Sequence, residues 1–199
     1  MSMLQKIAFF DFDGTITKAD SMLELIKFHF GKKKYFLGLV IAGFYLLGLK
    51  MGFLSRQRAK ERFLTHFWSG MDANQFEEIC KTFSVCKLPS LIRREAVDKI
   101  NEFKNENVEV VVVTASASDW VKYWCESQNL AFISSEMDIQ SGKITGKLKG
   151  LNCNGPEKAS RIKRDYDLSQ YGEIYCFGDS SGDKEMFSLA TKSYYQKFN

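Results

Sequence analysis

The chain has 199 residues, 45% of them apolar and 26% charged, which is ordinary for a soluble globular protein with a real core and room for a modest insert. A formal net charge of +4 falls short of the one-sided charge of a dedicated nucleic-acid binder. Five cysteines with no CxxC pair fit a reducing, cytoplasmic compartment, and two histidines leave a His-based zinc site or a Ser-His-Asp triad poorly supplied.

In chain order, the apolar run Lys6–Phe10 meets Asp11-Phe12-Asp13 at once. It is too short for the core of a signal peptide and reads as a first, buried strand ending in a turn. From Ser21 to about Phe83 no β-rich run occurs, and the pattern predicts several helices broken near Gly31, Gly52 and Gly70. Pro89 is expected in the first turn of a further helix carrying Ile92, Ala96, Ile100 and Phe103 at helical spacing.

The β-branched run Val108–Val113 then predicts a central parallel strand, followed by an amphipathic helix over Trp120–Gln128 and a strand near Leu130–Ile133. Ser141-Gly142 separates two short extended pieces, a helix opens at Gly155-Pro156, and a strand covers Ile174–Phe177. A helix follows Ser180-Ser181-Gly182, and Thr191–Tyr195 is expected as a last strand. This alternation predicts an α/β fold with a Rossmann-like parallel sheet. The helical block at 20–87 reads as an insertion into a core made of 1–19 and 88–199.

Polar groups follow the predicted strands at four places, and the carboxyl ends of parallel strands form the ligand crevice of such sheets. In Asp11-Phe12-Asp13-Gly14-Thr15, residues two apart in extended chain face the same way, so one carboxylate can attack phosphorus while the other handles a proton. The plain alternative is an Asp- and Gly-rich turn. An EF-hand loop is excluded, because its first position would be Phe9 and a strand precedes it. Thr114-Ala115-Ser116 offers a hydroxyl and backbone N–H groups for phosphate oxygens, or else a helix cap.

Lys158 follows Pro156 near the positive end of a helix dipole, where a cation calls for compensating anions unless it is solvated. In Gly178-Asp179-Ser180-Ser181-Gly182-Asp183, Asp179 is the better-placed ligand for a hard cation, and Asp183 is either its support or a first-turn acid.

These four places, in this order, resemble the motifs of the haloacid dehalogenase (HAD) superfamily. The resemblance implies that Asp11 is the nucleophile, Asp13 the general acid/base, and that Thr114, Ala115 and Lys158 bind the phosphoryl group. It implies Mg²⁺ held by Asp11, the Asp13 backbone carbonyl and Asp179, with Asp183 orienting that shell. The reaction implied is hydrolysis of a phosphate monoester, a small or lipid-linked metabolite, through phospho-Asp11. The rival readings are a phosphotransferase or mutase with the same nucleophile, and a non-catalytic phosphate-binding protein. The helical insert resembles a type 1 cap, and the layout is similar to subfamily IB, the phosphoserine-phosphatase-like group. Glu24, Arg58 and Arg62 are candidate substrate contacts, with helix-surface charges as the alternative.

Tyr35–Leu49 carries no charge, with Lys32, Lys33 and Lys34 before it and Lys50, Arg56 and Arg58 after it. It is short for a membrane span, which needs about 20 apolar residues. A buried cap helix is the first reading; peripheral contact with anionic lipid and a dimer contact are the alternatives.

Overall fold

The structure is a computed structural model that describes residues 5–53, 55–196 and 198, without the side chains of residues 44 and 46–50. Its strands are β1 (Gln5–Phe10), β2 (Glu109–Ala117), β3 (Ala131–Ser135), β4 (Met137–Gln140), β5 (Lys143–Leu148), β6 (Tyr171–Gly178) and β7 (Lys192–Tyr195). Its helices are α1 (Ser21–Lys50), α2 (Arg56–Trp68), α3 (Ala73–Cys86), α4 (Arg94–Asn105), α5 (Ser118–Ser127), α6 (Pro156–Asp165) and α7 (Lys184–Phe187).

Five strands form one parallel sheet in the order β3-β2-β1-β6-β7, with β1 at its centre. A strand in that place is covered on both faces, and Ile7, Ala8, Phe9 and Phe10 are all fully buried. Alternate residues serve opposite layers. Ile7 and Phe9 join Val111, Val113 and Cys176 under α6 and α7, through Ile162 and Met186. Ala8 and Phe10 join Val110, Val112 and Phe177 under α4 and α5, through Phe103 and Trp120. The chain leaves β1 for β2 and β3 on one side and comes back for β6 and β7 on the other. The crevice of an open α/β sheet lies at such a reversal, beyond the carboxyl ends of the strands.

The helices between β1 and β2 break where glycine permits it. Gly31 interrupts α1 at φ 76°, and Gly52 and Gly70 turn the chain at φ 79° and 84°. The antiparallel pair β4–β5 lies against these helices and outside the main sheet. The Gly70 N–H donates to the Ile144 carbonyl at 2.9 Å, and the Ile144 N–H donates to that of Met71 at 2.9 Å. Gly146, at φ 80°, sits so close to α2 that a Cβ there would lie 2.2 Å from Thr65 Cα.

Two expectations need correction. Pro89 belongs to a separate tight turn over Leu88–Leu91 and not to α4, because Ile92 is drawn into an extended bridge with Thr17. Tyr35–Leu49 is not a buried helix: Phe36, Leu37 and Val40 are exposed, while Gly38 is pressed onto Phe67 of α2. The side chains of residues 44 and 46–50 lie outside the described set. Among the described residues no helix is long and apolar enough to cross a membrane.

Phe10 stacks on Phe177 with ring centroids 4.3 Å apart and meets Phe103 edge-on at 6.2 Å. Phe10→Ala is expected to destabilise the fold by about 3–5 kcal/mol, read as a lowered urea midpoint at unchanged slope.

Candidate active site

Asp11 is the first residue past β1, and its N–H extends the sheet ladder to the Phe177 carbonyl at 2.8 Å. Its carboxylate is thereby set at the carboxyl edge of the central strand, only 6% exposed. Lys158, in the first turn of α6, places Nζ 2.5 Å from Asp11 Oδ1 and 2.5 Å from Asp183 Oδ1, and is itself buried. The two carboxylates are the compensation that a cation at a helix N-terminus requires. Asp183 is held in turn: its Oδ2 accepts from the Ser180 N–H and hydroxyl, each at 3.0 Å. The Gly155 N–H donates to the Gly182 carbonyl at 2.9 Å, which fastens the start of α6 to this loop.

Asp179 leans against Gly14. A Cβ at Gly14 would lie 2.1 Å from Asp179 Oδ2, and the residue sits at φ 81°, so both space and conformation call for glycine. Asp11, Asp179 and Asp183 each offer a carboxylate oxygen within 4.8 Å of the others. With all three carboxylates ionised, they face one ammonium here, a surplus of two negative charges. All the donors are oxygens, and that charge and donor set fit a hard divalent cation such as Mg²⁺.

Asp13 is oriented from two sides. Its Oδ1 accepts from the Ser21 N–H at 2.6 Å, and its Oδ2 from the Ser116 hydroxyl at 2.5 Å. Ser21 Oγ lies 3.2 Å from Ser116 Oγ and accepts from the Trp120 indole at 3.1 Å, so α5, β2 and the start of α1 fix this carboxylate jointly. Thr114 is buried, and its Oγ1 accepts from the Ser116 N–H at 3.0 Å.

Asp11, Asp13, Thr114, Ala115, Lys158 and Asp179 line a single cavity of about 710 Å³. Leu39, Ala42 and Tyr45 of α1 and Arg56 and Lys60 of α2 also line it. The candidate contacts Glu24, Arg58 and Arg62 do not. Glu24 is held in ion pairs with Lys27 at 3.0 Å and Lys87 at 3.3 Å. Arg58 and Arg62 are exposed, because the face of α2 that meets the cavity runs through 56, 59, 60 and 63.

Lys60 is the residue that sequence reading missed. Its Nζ donates to the Ala115 carbonyl at 2.6 Å and to Asn152 Oδ1 at 3.1 Å, and burial pulls its pKa down. Its spacing of four from Arg56, beside Ala59 and Phe63, was the available signal.

The profile of the haloacid dehalogenase-like hydrolases matches residues 8–188. The chain belongs to that family. It is 28% identical over 191 residues to protein CicA of Caulobacter vibrioides, covering 95% of this chain and 85% of CicA. Among solved structures, one from Bordetella pertussis Tohama I matches with a TM-score of 0.79 at 17% identity, covering 96% of this chain and 89% of that one. A substrate-bound phosphoserine phosphatase matches with a TM-score of 0.71 at 17% identity, over 96% and 85% of the two chains. A phosphoserine phosphohydrolase-like protein from Francisella tularensis gives 0.67 at 19% identity, over 95% and 86%. The HAD fold, in its phosphoserine-phosphatase-like form, is thus the fold of this chain.

Burial pushes the Asp11 carboxyl up to about 7, Lys158 opposing this and Asp183 adding to it. Burial works against the Lys158 ammonium too, but Asp11 and Asp183 outweigh it and its pKa is raised. Between 3.8 and about 7 the folded protein therefore holds a proton on Asp11 that the unfolded chain has released, and stability falls as pH rises through that window. In EDTA, wild type should lose stability as pH rises from about 4 to about 7, and Asp11→Asn should flatten that dependence. Thermal unfolding of both proteins across that range is the measurement.

Proposed function

We propose that the chain is a Mg²⁺-dependent phosphate monoester hydrolase working through a phosphorylated Asp11. One observation carries this reading: a buried lysine shared by two carboxylates, 2.5 Å from each, beside a third carboxylate within ligand reach. Phosphoryl transfer asks mostly for positioning and charge neutralisation, and this arrangement supplies both.

In the reaction, an Asp11 oxygen attacks phosphorus as the bond to the ester oxygen breaks. Asp13, in its protonated form, gives its proton to the departing oxygen. The ionised Asp13 then takes a proton from water as that water attacks phospho-Asp11, which releases phosphate and restores both groups. Lys158 balances charge on Asp11, and the Thr114 hydroxyl and Ala115 N–H bind phosphoryl oxygens. Asp11, the Asp13 carbonyl and Asp179 would hold the cation, with Asp183 orienting them. When bound, Mg²⁺ supplies positive charge to the phosphoryl oxygens.

Residues 20–87 act, in this reading, as a helical cap over a core made of 1–19 and 88–199. The cap excludes bulk water and selects the leaving group. The substrate is a small or lipid-linked phosphorylated metabolite, and the mixed lining of Lys60, Arg56, Leu39 and Tyr45 suits a leaving group with both polar and apolar parts.

Incubation with Mg²⁺ and a panel including phosphoserine, histidinol phosphate, sugar phosphates and phosphatidylglycerophosphate should release free phosphate from at least one. Asp11→Asn should lower that turnover by more than about a thousandfold. Phosphate recovered only on a second alcohol would mark a phosphotransferase, and no turnover of any ester would sink the hydrolase reading.

Asp13→Asn tests the acid/base assignment separately. It should slow alkyl phosphates by about 10²–10⁴-fold but nitrophenyl phosphate far less in the first step, since that leaving group needs no proton. Equal losses in single-turnover measurements on both would remove Asp13 from that role.

A further inference from the structure

The outer face of α1 is not explained by the reaction. Ten large apolar side chains are exposed among the described residues, and half of them, Phe36, Leu37, Val40, Met51 and Phe53, fall between 36 and 53 at 60–75% exposure. The contact of Gly38 with Phe67 of α2 fixes the rotation of the helix, so that Leu39, Ala42 and Tyr45 turn to the cavity and the 36-37-40 stripe turns to solvent. Three large apolar side chains exposed side by side on one helix face, at 36, 37 and 40, mark an interaction surface.

Charge identifies the partner. From Leu25 to Lys60 the chain carries eight Lys or Arg and no Asp or Glu, whereas the rest carries twenty against twenty-four. Lys27 pairs with Glu24 and Lys60 is turned into the cavity, which leaves Lys32, Lys33 and Lys34 exposed at one end of the stripe and Arg56 and Arg58 exposed at the other. A symmetric pairing of two copies through this face would set these cations against each other. A surface that is apolar outside the water and negative at its edge complements the patch; a bilayer containing anionic lipid is such a surface.

We propose that the 36-37-40 face of α1 docks into the interfacial layer of an anionic membrane, the helix lying in its plane without crossing it. The cavity wall formed by Leu39, Ala42 and Tyr45 then lies on the inner side of the docked helix.

The full chain should sediment with vesicles of phosphatidylcholine and phosphatidylglycerol, and far less with phosphatidylcholine alone. Val40→Asp should lower the affinity at least about tenfold, and the triple change Lys32→Gln, Lys33→Gln, Lys34→Gln about a hundredfold. Both variants alter only exposed side chains, so their melting temperatures and turnover of a soluble ester should match wild type.

The proposal is overturned by no sedimentation, by binding indifferent to phosphatidylglycerol, or by binding that survives Val40→Asp. A dimer in analytical ultracentrifugation that Val40→Asp dissociates, without vesicle binding, would instead assign the face to a second copy. Docking does not depend on the chemistry at Asp11, so lost binding with intact turnover counts against the membrane alone.

Discussion

The arrangement at the carboxyl edge of the sheet depends on one buried ammonium. Lys158 is 2% exposed and sits between Asp11 and Asp183, at 2.5 Å from each. An isolated charge at that depth would be strongly unfavourable, and so would either carboxylate without it. Each member is tolerable only because the others are present. The chain needs three separate elements in register to achieve this: the end of β1, the first turn of α6 and the loop after β6. Any shift of one by a residue would strand a buried charge, and this makes the site a constraint on the fold as well as a product of it.

The sheet supplies that register. With β1 in the centre, its two neighbours are β2 and β6, and these are the strands that deliver Thr114 and Asp179 beside Asp11. Parallel pairing puts all three carboxyl ends at the same edge. The hydrophobic core and the charged cluster are thus consecutive segments of the same strands, Ile7–Phe10 leading to Asp11 and Ile174–Phe177 leading to Asp179. The glycine at 14 completes the approach, since a side chain there would occupy the position of the Asp179 carboxylate.

Much of this was legible in the sequence. Short apolar runs followed by Asp or Thr mark buried parallel strands with polar tips, and Ile7–Phe10, Val110–Val113 and Ile174–Phe177 carry that pattern within β1, β2 and β6. A lysine just inside Gly155-Pro156 stood out because the helix dipole opposes it, so its anionic partners were implied before they were located. Less legible were features set by packing. The cavity-facing side of α2 follows from how Phe63 and Ala59 sit against neighbouring elements, which a charge pattern does not encode. The sequence therefore presents Arg58 and Arg62 as readily as Lys60, although only Lys60 of the three lines the cavity. Likewise, Tyr35–Leu49 looks uniformly apolar in sequence. Packing separates its two faces, through the contact of Gly38 with Phe67 and the core contacts of Tyr35, Ala42 and Tyr45.

The short antiparallel pair β4–β5 has a mechanical meaning. It is bonded to the turn between α2 and α3 through Gly70, Met71 and Ala73, and Gly146 is wedged against Thr65. Gln57 adds further ties, donating to the Gly150 carbonyl at 3.0 Å and accepting from the Asn152 N–H at 3.2 Å. A displacement of α2 must therefore drag the hairpin with it. These helices and the hairpin are joined to the main sheet by four crossings of the chain instead of two, so bending at any one connection is resisted by the other three.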